Sequence, residues 1–547
     1  MSRFTQALRS AAHGDAGMTT GEPREPVRTT WAQVHAAACA GARVLARNGV
    51  RPGDAVAVLA AKPFEVAPVA QAAWLAGASV TMLHQPTART NLATYGAETA
   101  AVLTLIGASA VVLGDPFTEF IDMLDGSGVR AFTVDQLVAE PGGPAPDVQI
   151  DEDGPALLQL TSGSTATPKA VQITHRNLWA NIESMCESAS IHPGEVMVSW
   201  LPLFHDMGMV GFLTQPMCQG IELVTVTPSD FLSSPLLWPT LISKYSGTIT
   251  AAPNFAYALT ARVLGRAGNR YLDLDLSSMR FALNGAEPID VGAVRAFLDA
   301  GARFGLPATA VVCAYGMAEA TLAVSFHQWG TPLKVDTVLA VKLEHEQRAV
   351  PATDGSDAEV REFPVLGPPL RGIEVVAVGE GGKQLPDRAV GVLHLRGDCV
   401  TDRYLTVDGP RPTKGADGWL DTGDLGYLVD GEVVVCGRVK DVIIMGGRNI
   451  YPTDVERVAE TVDGVRAGNA VAVRWTTSGG RESFALAVES RQADDEAELE
   501  RIAAEVRTAV TAAIGVRPAA VTVLPVGSLP KTPSGKLKRS AAATLIK

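Results

Sequence analysis

Short apolar runs rich in β-branched residues alternate with helical stretches along the first third of the chain, and this rhythm constrains the fold most. An alanine-rich helix is predicted at residues 31–48, and a strand-like run at 54–60 follows a Pro-Gly turn. A second helical stretch at 64–76 leads to further strand-like runs at 78–82 and 110–113. Strands and helices in this alternation are typical of α/β layers with mostly parallel strands.

The pattern changes twice further along the chain of 547 residues. Strands and helices alternate again from about residue 155 to 326, whereas residues 365–435 carry short β runs separated by Gly, Asp and Pro. We therefore predict an α/β fold with two domains. Residues 1–437 form a large N-terminal domain of layered α/β subdomains plus a small β subdomain, and residues 438–547 form a small C-terminal α+β domain.

Composition narrows the class of protein. The chain has 46 basic and 59 acidic residues, a formal charge of −13, and an acidic surface disfavours a nucleic-acid partner. Six scattered cysteines without a C-x-x-C pair argue against a zinc site or a disulfide framework and suit a reducing compartment. The N-terminus lacks the pattern of a signal peptide, and apolar runs are too short for a membrane span. We predict a cytoplasmic protein.

A loop of small polar residues follows the apolar run that ends near residue 160 and predicts a phosphate site. Backbone N–H groups and hydroxyls in such a loop can surround phosphate oxygens, and a lysine adds positive charge. It is not a Walker A loop, because the second glycine is missing and Ala170 follows the lysine. The alternative is a polar surface loop. The candidate phosphate ligands are Thr161, Ser162, Gly163, Ser164, Thr165 and Lys169.

Five further segments follow this loop: NGAEP at 284–288, YGMAEAT at 315–321, WLDTGDLG at 419–426, GRVKD at 437–441 and LPKTPSGKL at 529–537. Taken singly, each also fits an ordinary turn, linker or basic tail. In this order and wording, the chain resembles the adenylate-forming superfamily of acyl-CoA synthetases, peptide-synthetase adenylation domains and luciferases. The resemblance covers nearly the whole chain, and it implies that the small C-terminal domain is mobile.

The resemblance implies a site for ATP and Mg²⁺. The NGAEP turn would approach adenine, a tyrosine would stack on it, and Glu319 would hold Mg²⁺, because a carboxylate beside a triphosphate needs a cation between them. An aspartate and an arginine would bind the ribose. Besides the phosphate loop, the residues implied to bind the nucleotide are Gly285, Ala286, Glu287, Tyr315, Gly316, Met317, Asp424 and Arg438.

The C-terminal segments carry the implied catalytic and hinge lysines. Lys536 would bring its ammonium to the oxyanion charge that develops in the transition state. Lys440 would be the pivot about which the small domain rotates. In this family the acid attacks the α-phosphorus of ATP, giving an acyl-AMP and pyrophosphate, and a thiol then attacks the adenylate.

Residues 200–209 also match the family, which implies that His205 lies near the acyl carboxylate. A lone histidine among apolar residues is otherwise a core residue with its hydrogen bonds satisfied. Several neighbouring side chains are predicted to line an apolar substrate pocket, with ordinary core packing as the alternative. The pocket candidates are Phe204, Met207, Met209, Phe255 and Asn284.

The chain resembles the fatty acyl-AMP ligase branch in the exact residues of 202–208, 252–257 and 284–288. It also resembles that branch in the long stretch 327–363 before Gly367. In that branch the acyl group passes to the phosphopantetheine of a carrier protein rather than to free CoA. Ala166, Ala170 and the missing cysteine before Gly367 depart from the expected pattern. The predicted function is activation of a fatty or other apolar acid as acyl-AMP, with transfer to a carrier-protein or CoA thiol.

Three alternatives stay open at this point. The first is an acyl-CoA synthetase that makes free acyl-CoA. The second is an adenylation-only or catalytically altered relative, although both Lys536 and Glu319 are present. The third is an amino-acid adenylation domain, which would need an acidic partner for the α-amine. The segments around Asp230 and Asn254 offer no convincing one.

Overall fold

The computed structural model describes residues 1–86, 90–124, 128–139, 142–161, 168–266, 273–353, 359–445, 448–476, 482–532 and 536–546. The chain divides into two units. The first unit comprises Met1–Lys334, Leu366–Glu374 and Leu395–Leu420, and the second comprises Val335–Val365, Val375–His394 and Asp421–Lys547. No helix in the described ranges has both the length and the apolarity that crossing a bilayer requires.

Strands and helices alternate through most of the chain. The described strands are β1 (Gly17–Thr20), β2 (Val27–Thr30), β3 (Ala55–Leu59), β4 (Ser79–Met82), β5 (Ala108–Leu113), β6 (Arg130–Thr133), β7 (Pro155–Thr161), β8 (Lys169–Thr174), β9 (Val196–Ser199), β10 (Glu222–Thr225), β11 (Ile249–Ala252), β12 (Phe281–Asn284), β13 (Val311–Gly316), β14 (Ala323–Phe326), β15 (Val335–Leu339), β16 (Val360–Pro364), β17 (Ile373–Val378), β18 (Gly391–Gly397), β19 (Arg403–Thr406), β20 (Gly409–Pro412), β21 (Leu420–Val429), β22 (Glu432–Arg438), β23 (Ile443–Met445), β24 (Arg448–Ile450), β25 (Val465–Thr476), β26 (Glu482–Ser490) and β27 (Ala520–Pro525).

The α-helices begin at residues with cap chemistry in several places. Thr30 and Gln33 form a capping box at the start of α2, and Asp495 caps α14, so each side chain satisfies backbone N–H groups of the first turn. The described helices are α1 (Arg3–Ala11), α2 (Trp31–Arg47), α3 (Pro63–Leu75), α4 (Leu92–Leu105), α5 (Val134–Val138), α6 (His175–Ser188), α7 (Gln215–Gln219), α8 (Pro228–Ser233), α9 (Leu237–Lys244), α10 (Asn254–Arg266), α11 (Val291–Ala302), α12 (Ala340–Glu346), α13 (Pro452–Glu460), α14 (Glu496–Ile514) and α15 (Arg539–Ala542).

Two large sheets organise the first unit. In the described residues, one has the order β14-β13-β12-β11-β9-β10-β1-β2 and the other the order β20-β19-β8-β7-β4-β3-β5-β6. The inner strands of the first sheet are parallel, and helices α10 and α11 connect β11 to β12 and β12 to β13. Parallel neighbours need such crossovers. The predicted α/β layers with mostly parallel strands are therefore confirmed.

Each sheet also contains antiparallel pairs that the sequence pattern did not predict. The hairpin of β1 and β2 closes one edge of the first sheet, with β1 parallel to β10. In the second sheet, β8 pairs antiparallel with both β7 and β19. The latter pairing brings a strand from far along the chain beside the segment that begins at Lys169, and this matters for the candidate site.

Smaller sheets lie apart from the two large ones. A three-stranded sheet has the order β25-β26-β27, and its apolar face packs with α13 and α14 in a core that includes Val455, Leu486 and Val506. Strands β17, β18, β21 and β22 form a four-stranded sheet. The long stretch 327–363 before Gly367 contains β15, α12 and β16, and β15 pairs antiparallel with β16.

Candidate active site

Four neighbouring parallel strands of the first sheet end at the same edge, and a predicted site segment follows each of them. The strands lie in the order β9-β11-β12-β13. The segment of His205 follows β9, Phe255 follows β11, Asn284 ends β12 and Glu319 follows β13. The carboxyl ends of parallel strands form the crevice in which α/β proteins bind ligands. The topology therefore gathers segments that are far apart in the sequence.

Asn284 is fully buried at the end of β12. Its side-chain nitrogen donates to Asn254 Oδ1 at 3.2 Å, which joins the end of β12 to the start of α10. Its own Oδ1 is buried without a hydrogen-bond partner in the described structure. Buried polar atoms normally find a partner, so this oxygen marks the turn as an unusual place in the fold.

The turn after Asn284 has a constrained backbone. Ala286 has a φ of +68°, in the left-handed region that favours glycine. Glu287 accepts a hydrogen bond from the backbone N–H of Phe255 at 2.7 Å. A Cβ at Gly285 would lie 3.3 Å from the carbonyl oxygen of Ala314, which is a tight approach. The predicted adenine turn is thus held against the neighbouring strand β13 and the start of α10.

Tyr315 and Gly316 end β13 and lead into a sharp turn. Tyr315 is 8% exposed. A Cβ at Gly316 would lie 2.2 Å from the carbonyl oxygen of Leu322, so only glycine allows this approach. The backbone N–H of Met317 donates to that same oxygen at 2.8 Å. Glu319 then lies on a single 3₁₀ turn and is 9% exposed.

The segment before β19 fixes the turn that carries Glu319. The backbone N–H of Thr401 donates to the carbonyl oxygen of Glu319 at 2.9 Å. Thr321 has a φ of +69°, which is strained for a β-branched residue, and its hydroxyl donates to the carbonyl oxygen of Cys399 at 2.8 Å. These bonds hold the Glu319 backbone in place.

Glu319, Lys169 and Tyr404 form a polar cluster in the first unit. Lys169 Nζ lies 3.4 Å from Glu319 Oε1, and the hydroxyl of Tyr404 donates to the same oxygen at 2.8 Å. Lys169 Nζ also lies 3.8 Å from the centroid of the Tyr404 ring. The structure thus brings together the predicted phosphate lysine and the predicted magnesium ligand, and it adds a tyrosine that sequence reasoning missed.

The phosphate loop is described at its two ends. Thr161 ends β7 and lies opposite Lys169, the first residue of β8. The predicted ligands Ser162, Gly163, Ser164 and Thr165 lie outside the described residues.

His205 lies at the end of the segment that follows β9. Its Nδ1 is 2.6 Å from Asp206 Oδ1 and accepts a hydrogen bond from the backbone N–H of Met207 at 3.3 Å. Gln159 donates to the carbonyl oxygen of Phe204 at 2.9 Å, and the rings of Phe204 and His84 meet edge to face at 5.5 Å. Asp206 belongs to the matched segment 200–209, whereas no sequence signal had indicated Gln159 or His84 as neighbours of this site.

The predicted pocket residues after His205 lie on a π-helix, Met207–Thr214. Met207 is 6% exposed and Met209 is fully buried. A Cβ at Gly208 would lie 2.2 Å from the carbonyl oxygen of Pro202, so glycine permits the close packing of this helix. π-Helical turns are frequent at functional sites, and the uniformly apolar run gave no periodicity from which to predict one.

Phe255 is the most exposed of the pocket candidates, at 36%. Its ring meets that of Trp200 at 6.1 Å, and Trp200 stacks on Phe231 at 4.0 Å. Tyr257, two residues further along α10, is fully buried, and burial raises its pKa well above the usual value. An aromatic wall thus continues from Phe255 into the core.

Asp424 and Arg438 face each other in the second unit. They are direct partners across the antiparallel strands β21 and β22. Arg438 Nε donates to Asp424 Oδ1 at 2.8 Å, and the Asp424 side chain is 5% exposed while that of Arg438 is 52% exposed. The structure therefore brings together the two residues predicted to bind ribose.

Lys440 and Lys536 are both exposed in the second unit. The backbone N–H of Thr532 donates to the carbonyl oxygen of Lys536 at 2.7 Å, and the Lys538 N–H donates to Pro530 at 2.8 Å. The base of the loop that carries Lys536 is therefore closed by backbone bonds, whereas residues 533–535 lie outside the described part of the chain. An exposed ammonium on a closed loop can be presented to a substrate.

Known proteins resemble this chain in sequence and in fold. The AMP-binding enzyme family matches residues 8–405, and the AMP-binding enzyme C-terminal domain matches residues 447–541. The chain is 54% identical to the putative ligase Rv1013 of Mycobacterium tuberculosis over 100% of both proteins. It is 34% identical to the medium-chain-fatty-acid–[acyl-carrier-protein] ligase JamA of Moorena producens, over 72% of this chain and 68% of JamA.

A solved structure from a study of fatty acyl-adenylate ligases from E. coli and L. pneumophila has the same fold. It superimposes with a TM-score of 0.89 at 31% identity and covers 100% of this chain and 98% of its own. The family match spans most of the chain, and the likeness to Rv1013 and to this solved structure extends over its whole length. The chain therefore belongs to the AMP-binding enzyme family and is an acyl-adenylate-forming ligase.

Proposed function

We propose that this ligase uses ATP and Mg²⁺ to activate a fatty or similarly apolar carboxylic acid as its acyl-AMP, releasing pyrophosphate. The acyl group then passes to a phosphopantetheine thiol. The observation that carries the proposal is the meeting of Lys169 and Glu319 at 3.4 Å, beside the carboxyl ends of four parallel strands. A site for a nucleoside triphosphate needs a cationic group to bind the phosphates and a carboxylate to bind the accompanying metal ion.

The nucleotide would occupy the edge formed by β12 and β13. The turn of Gly285, Ala286 and Glu287 would approach adenine, and Tyr315 would stack on it. Lys169 and the loop from Thr161 would contact the phosphates, while Gly316 and Met317 shape the turn behind them. Asp424 and Arg438 would bind the ribose, since an ionised carboxylate accepts strongly from hydroxyl groups.

Glu319 would be the protein ligand of Mg²⁺. Magnesium is commonly held by one or two carboxylates together with substrate phosphates. The donor set fits this mode: the described His, Cys, Asp and Glu side chains form no group of three or more suited to a metal ion, whereas a single carboxylate stands beside Lys169. Bound Mg²⁺ supplies positive charge that offsets the repulsion between two anionic reactants.

The acid would lie between His205 and the apolar residues after it. An Nε2–H of His205 would donate to the acyl carboxylate, because a carboxylate only accepts hydrogen bonds. Phe204, Met207, Met209, Phe255 and Asn284 would line the pocket, and their mostly apolar character favours an acid with a hydrocarbon chain. Holding the carboxylate in line with the α-phosphorus supplies proximity and orientation.

Lys536 would donate to the charge that develops during adenylation. We propose that it belongs to a mobile C-terminal domain, residues 438–547, which turns about Lys440 relative to the N-terminal domain, residues 1–437. The separate family match at residues 447–541 supports this division. A loop with a closed base and an exposed lysine suits such a movement.

A carrier protein is the proposed acceptor, with CoA as the competing one. The support is the likeness to JamA, whose name states transfer to an acyl carrier protein. Both acceptors present the same phosphopantetheine thiol, so the first half-reaction is common to them.

Mass spectrometry of the products tests the proposal. Purified enzyme is incubated with ATP, Mg²⁺ and acids of increasing chain length, alone, with CoA, or with a phosphopantetheine-loaded carrier protein. We expect acyl-AMP that persists with CoA and is consumed by the carrier. Conversion to acyl-CoA would identify a CoA ligase instead.

Two lysine variants serve as controls in the same assay. Lys536→Ala should lose adenylate formation, whereas Lys538→Ala, which removes an exposed lysine from the same tail, should retain it. The proposed function would be refuted if no acid gave acyl-AMP and both variants were indistinguishable from wild type.

A further inference from the structure

Tyr404 contacts both charged groups of the candidate nucleotide site, Lys169 and Glu319. It lies on β19, directly opposite Val171, while Thr406 on the same strand lies opposite Lys169. Tyr404 therefore lies on the strand adjacent to β8, two residues from Thr406, which pairs with Lys169. The side chain is half-buried, which keeps its contacts partly shielded from water.

The phenol and the ring make two different contacts. The hydroxyl donates to Glu319 Oε1 at 2.8 Å, and the ring face lies 3.8 Å from Lys169 Nζ. A hydrogen bond to a carboxylate orients it and leaves its second oxygen for other ligands. A ring face attracts an ammonium group without competing for its protons. One side chain therefore controls the position of a candidate metal ligand and of a candidate phosphate ligand.

Two donors meet at one carboxylate oxygen of this cluster. Lys169 Nζ and the Tyr404 hydroxyl both donate a hydrogen bond to Oε1 of Glu319. A phosphate would draw Lys169 toward the nucleotide, whereas the Tyr404 hydrogen bond to Glu319 can remain. The phenol would then keep Glu319 in one orientation as its lysine partner is exchanged for a cation.

We propose that Tyr404 is a positioning residue for metal-assisted nucleotide binding: its hydroxyl orients Glu319 for Mg²⁺, and its ring retains Lys169 near the phosphates. This inference rests on the proposed function, because it takes Glu319 as the metal ligand. The two contacts are separable by mutation. Tyr404→Phe removes the hydroxyl and keeps the ring, and Tyr404→Leu removes both.

The test measures binding rather than turnover. Affinity for Mn²⁺ is followed by electron paramagnetic resonance in the presence of α,β-methylene-ATP, and affinity for this nucleotide without metal is measured by calorimetry in EDTA. We expect Tyr404→Phe to weaken Mn²⁺ binding about 10–100-fold, the usual range for loss of a partner that orients a metal ligand. Metal-free nucleotide affinity should stay within about twofold, because the ring under Lys169 remains. Tyr404→Leu should weaken both, the second by about two- to fivefold.

A matched control exists elsewhere in the first unit. Tyr245 donates to Glu22 at 2.5 Å, and Lys244 lies 5.2 Å from the Tyr245 ring centroid while also pairing with Glu22. Tyr245→Phe therefore removes the same kind of bond from the same kind of trio. It should change neither Mn²⁺ nor nucleotide affinity.

Each outcome decides the proposal. Wild-type Mn²⁺ affinity in Tyr404→Phe, or equal weakening of metal and metal-free nucleotide binding, would overturn it, the latter by indicating a merely structural role. Glu319→Gln separates this failure from that of the proposed function: if it leaves Mn²⁺ affinity unchanged, the assigned metal ligand itself is wrong. Lys169→Met gives a second test that leaves Tyr404 intact. It should weaken metal-free nucleotide binding without weakening Mn²⁺ binding, and the reverse pattern would contradict the division of roles.

Discussion

Glu65 should make the stability of the first unit depend on pH. It lies in the first turn of α3 and is 9% exposed. Its Oε2 has no hydrogen-bond partner within the described residues, and a Cβ at Gly114 would lie 2.4 Å from this oxygen. Burial raises the pKa of Glu65 from 4.5 to about 7, although nearby Lys62 and the backbone N–H of Asp115 act in the opposite direction.

The raised pKa of Glu65 determines whether the protein becomes more or less stable as the pH rises. Because the pKa is higher in the folded protein, the folded state holds this proton more tightly, so the contribution to stability is full below pH 4.5 and is lost as the pH rises through about 7. A rise in pKa from 4.5 to about 7 corresponds to about 3.4 kcal/mol in full. Between pH 5 and pH 8.5 the free energy of unfolding should fall by about 2.5 kcal/mol from this group alone.

Glu65→Gln removes the titration while preserving the shape of the side chain. Urea unfolding is followed by tryptophan fluorescence at both pH values, with buried Trp74 on the same helix as a reporter. The variant should gain about 2.5 kcal/mol relative to wild type on going from pH 5 to pH 8.5. Glu98→Gln, on an exposed position of α4, should follow wild type. If Glu65→Gln also follows wild type at both pH values, then Glu65 is ionised at little cost and the reasoning is wrong.

Three other perturbations have distinct expected results. Lys536→Ala should slow pyrophosphate release about 10²–10³-fold with an unchanged melting temperature, because the side chain is exposed; a rate within tenfold of wild type would contradict its role. Asp424→Asn should raise the KM for ATP about tenfold or more with a smaller effect on kcat, since it weakens a charge-assisted bond; an unchanged KM would argue against ribose binding. Arg539 donates to both oxygens of Glu456 at 2.9 and 2.7 Å, so Arg539→Leu should destabilise the second unit by about 3–5 kcal/mol. Adding Glu456→Gln should restore part of that loss in urea unfolding, and a purely additive double variant would refute the pairing.

The sequence predicted the regular elements well where the pattern was strong. The helix expected at residues 31–48 is α2, Trp31–Arg47, and the run at 110–113 lies within β5, Ala108–Leu113. Periodicity and caps act locally, so they can be recognised without knowing the rest of the chain. The π-helix Met207–Thr214 escaped prediction because every side chain in it is buried and no face repeats.

The candidate site was predicted unevenly for a related reason. Asn284, Tyr315 and Glu319 belong to turns at strand ends, where short motifs mark the chain. Tyr404 carries no such mark, and its role depends on the antiparallel pairing of β19 with β8. That pairing is a property of the folded sheet.

The sequence by itself determined the family and the order of the motifs. Each motif is a short contiguous segment whose residue types suit one chemical role, so it can be recognised without the fold. Only the tertiary structure decided which charged groups meet. Lys169 and Glu319 are 150 positions apart in the sequence, and the fold places the lysine ammonium beside Oε1 of the glutamate. Burial of Glu65 against Gly114 is likewise decided by packing between distant elements. Distance in space, and with it charge and pKa, is set by the fold as a whole.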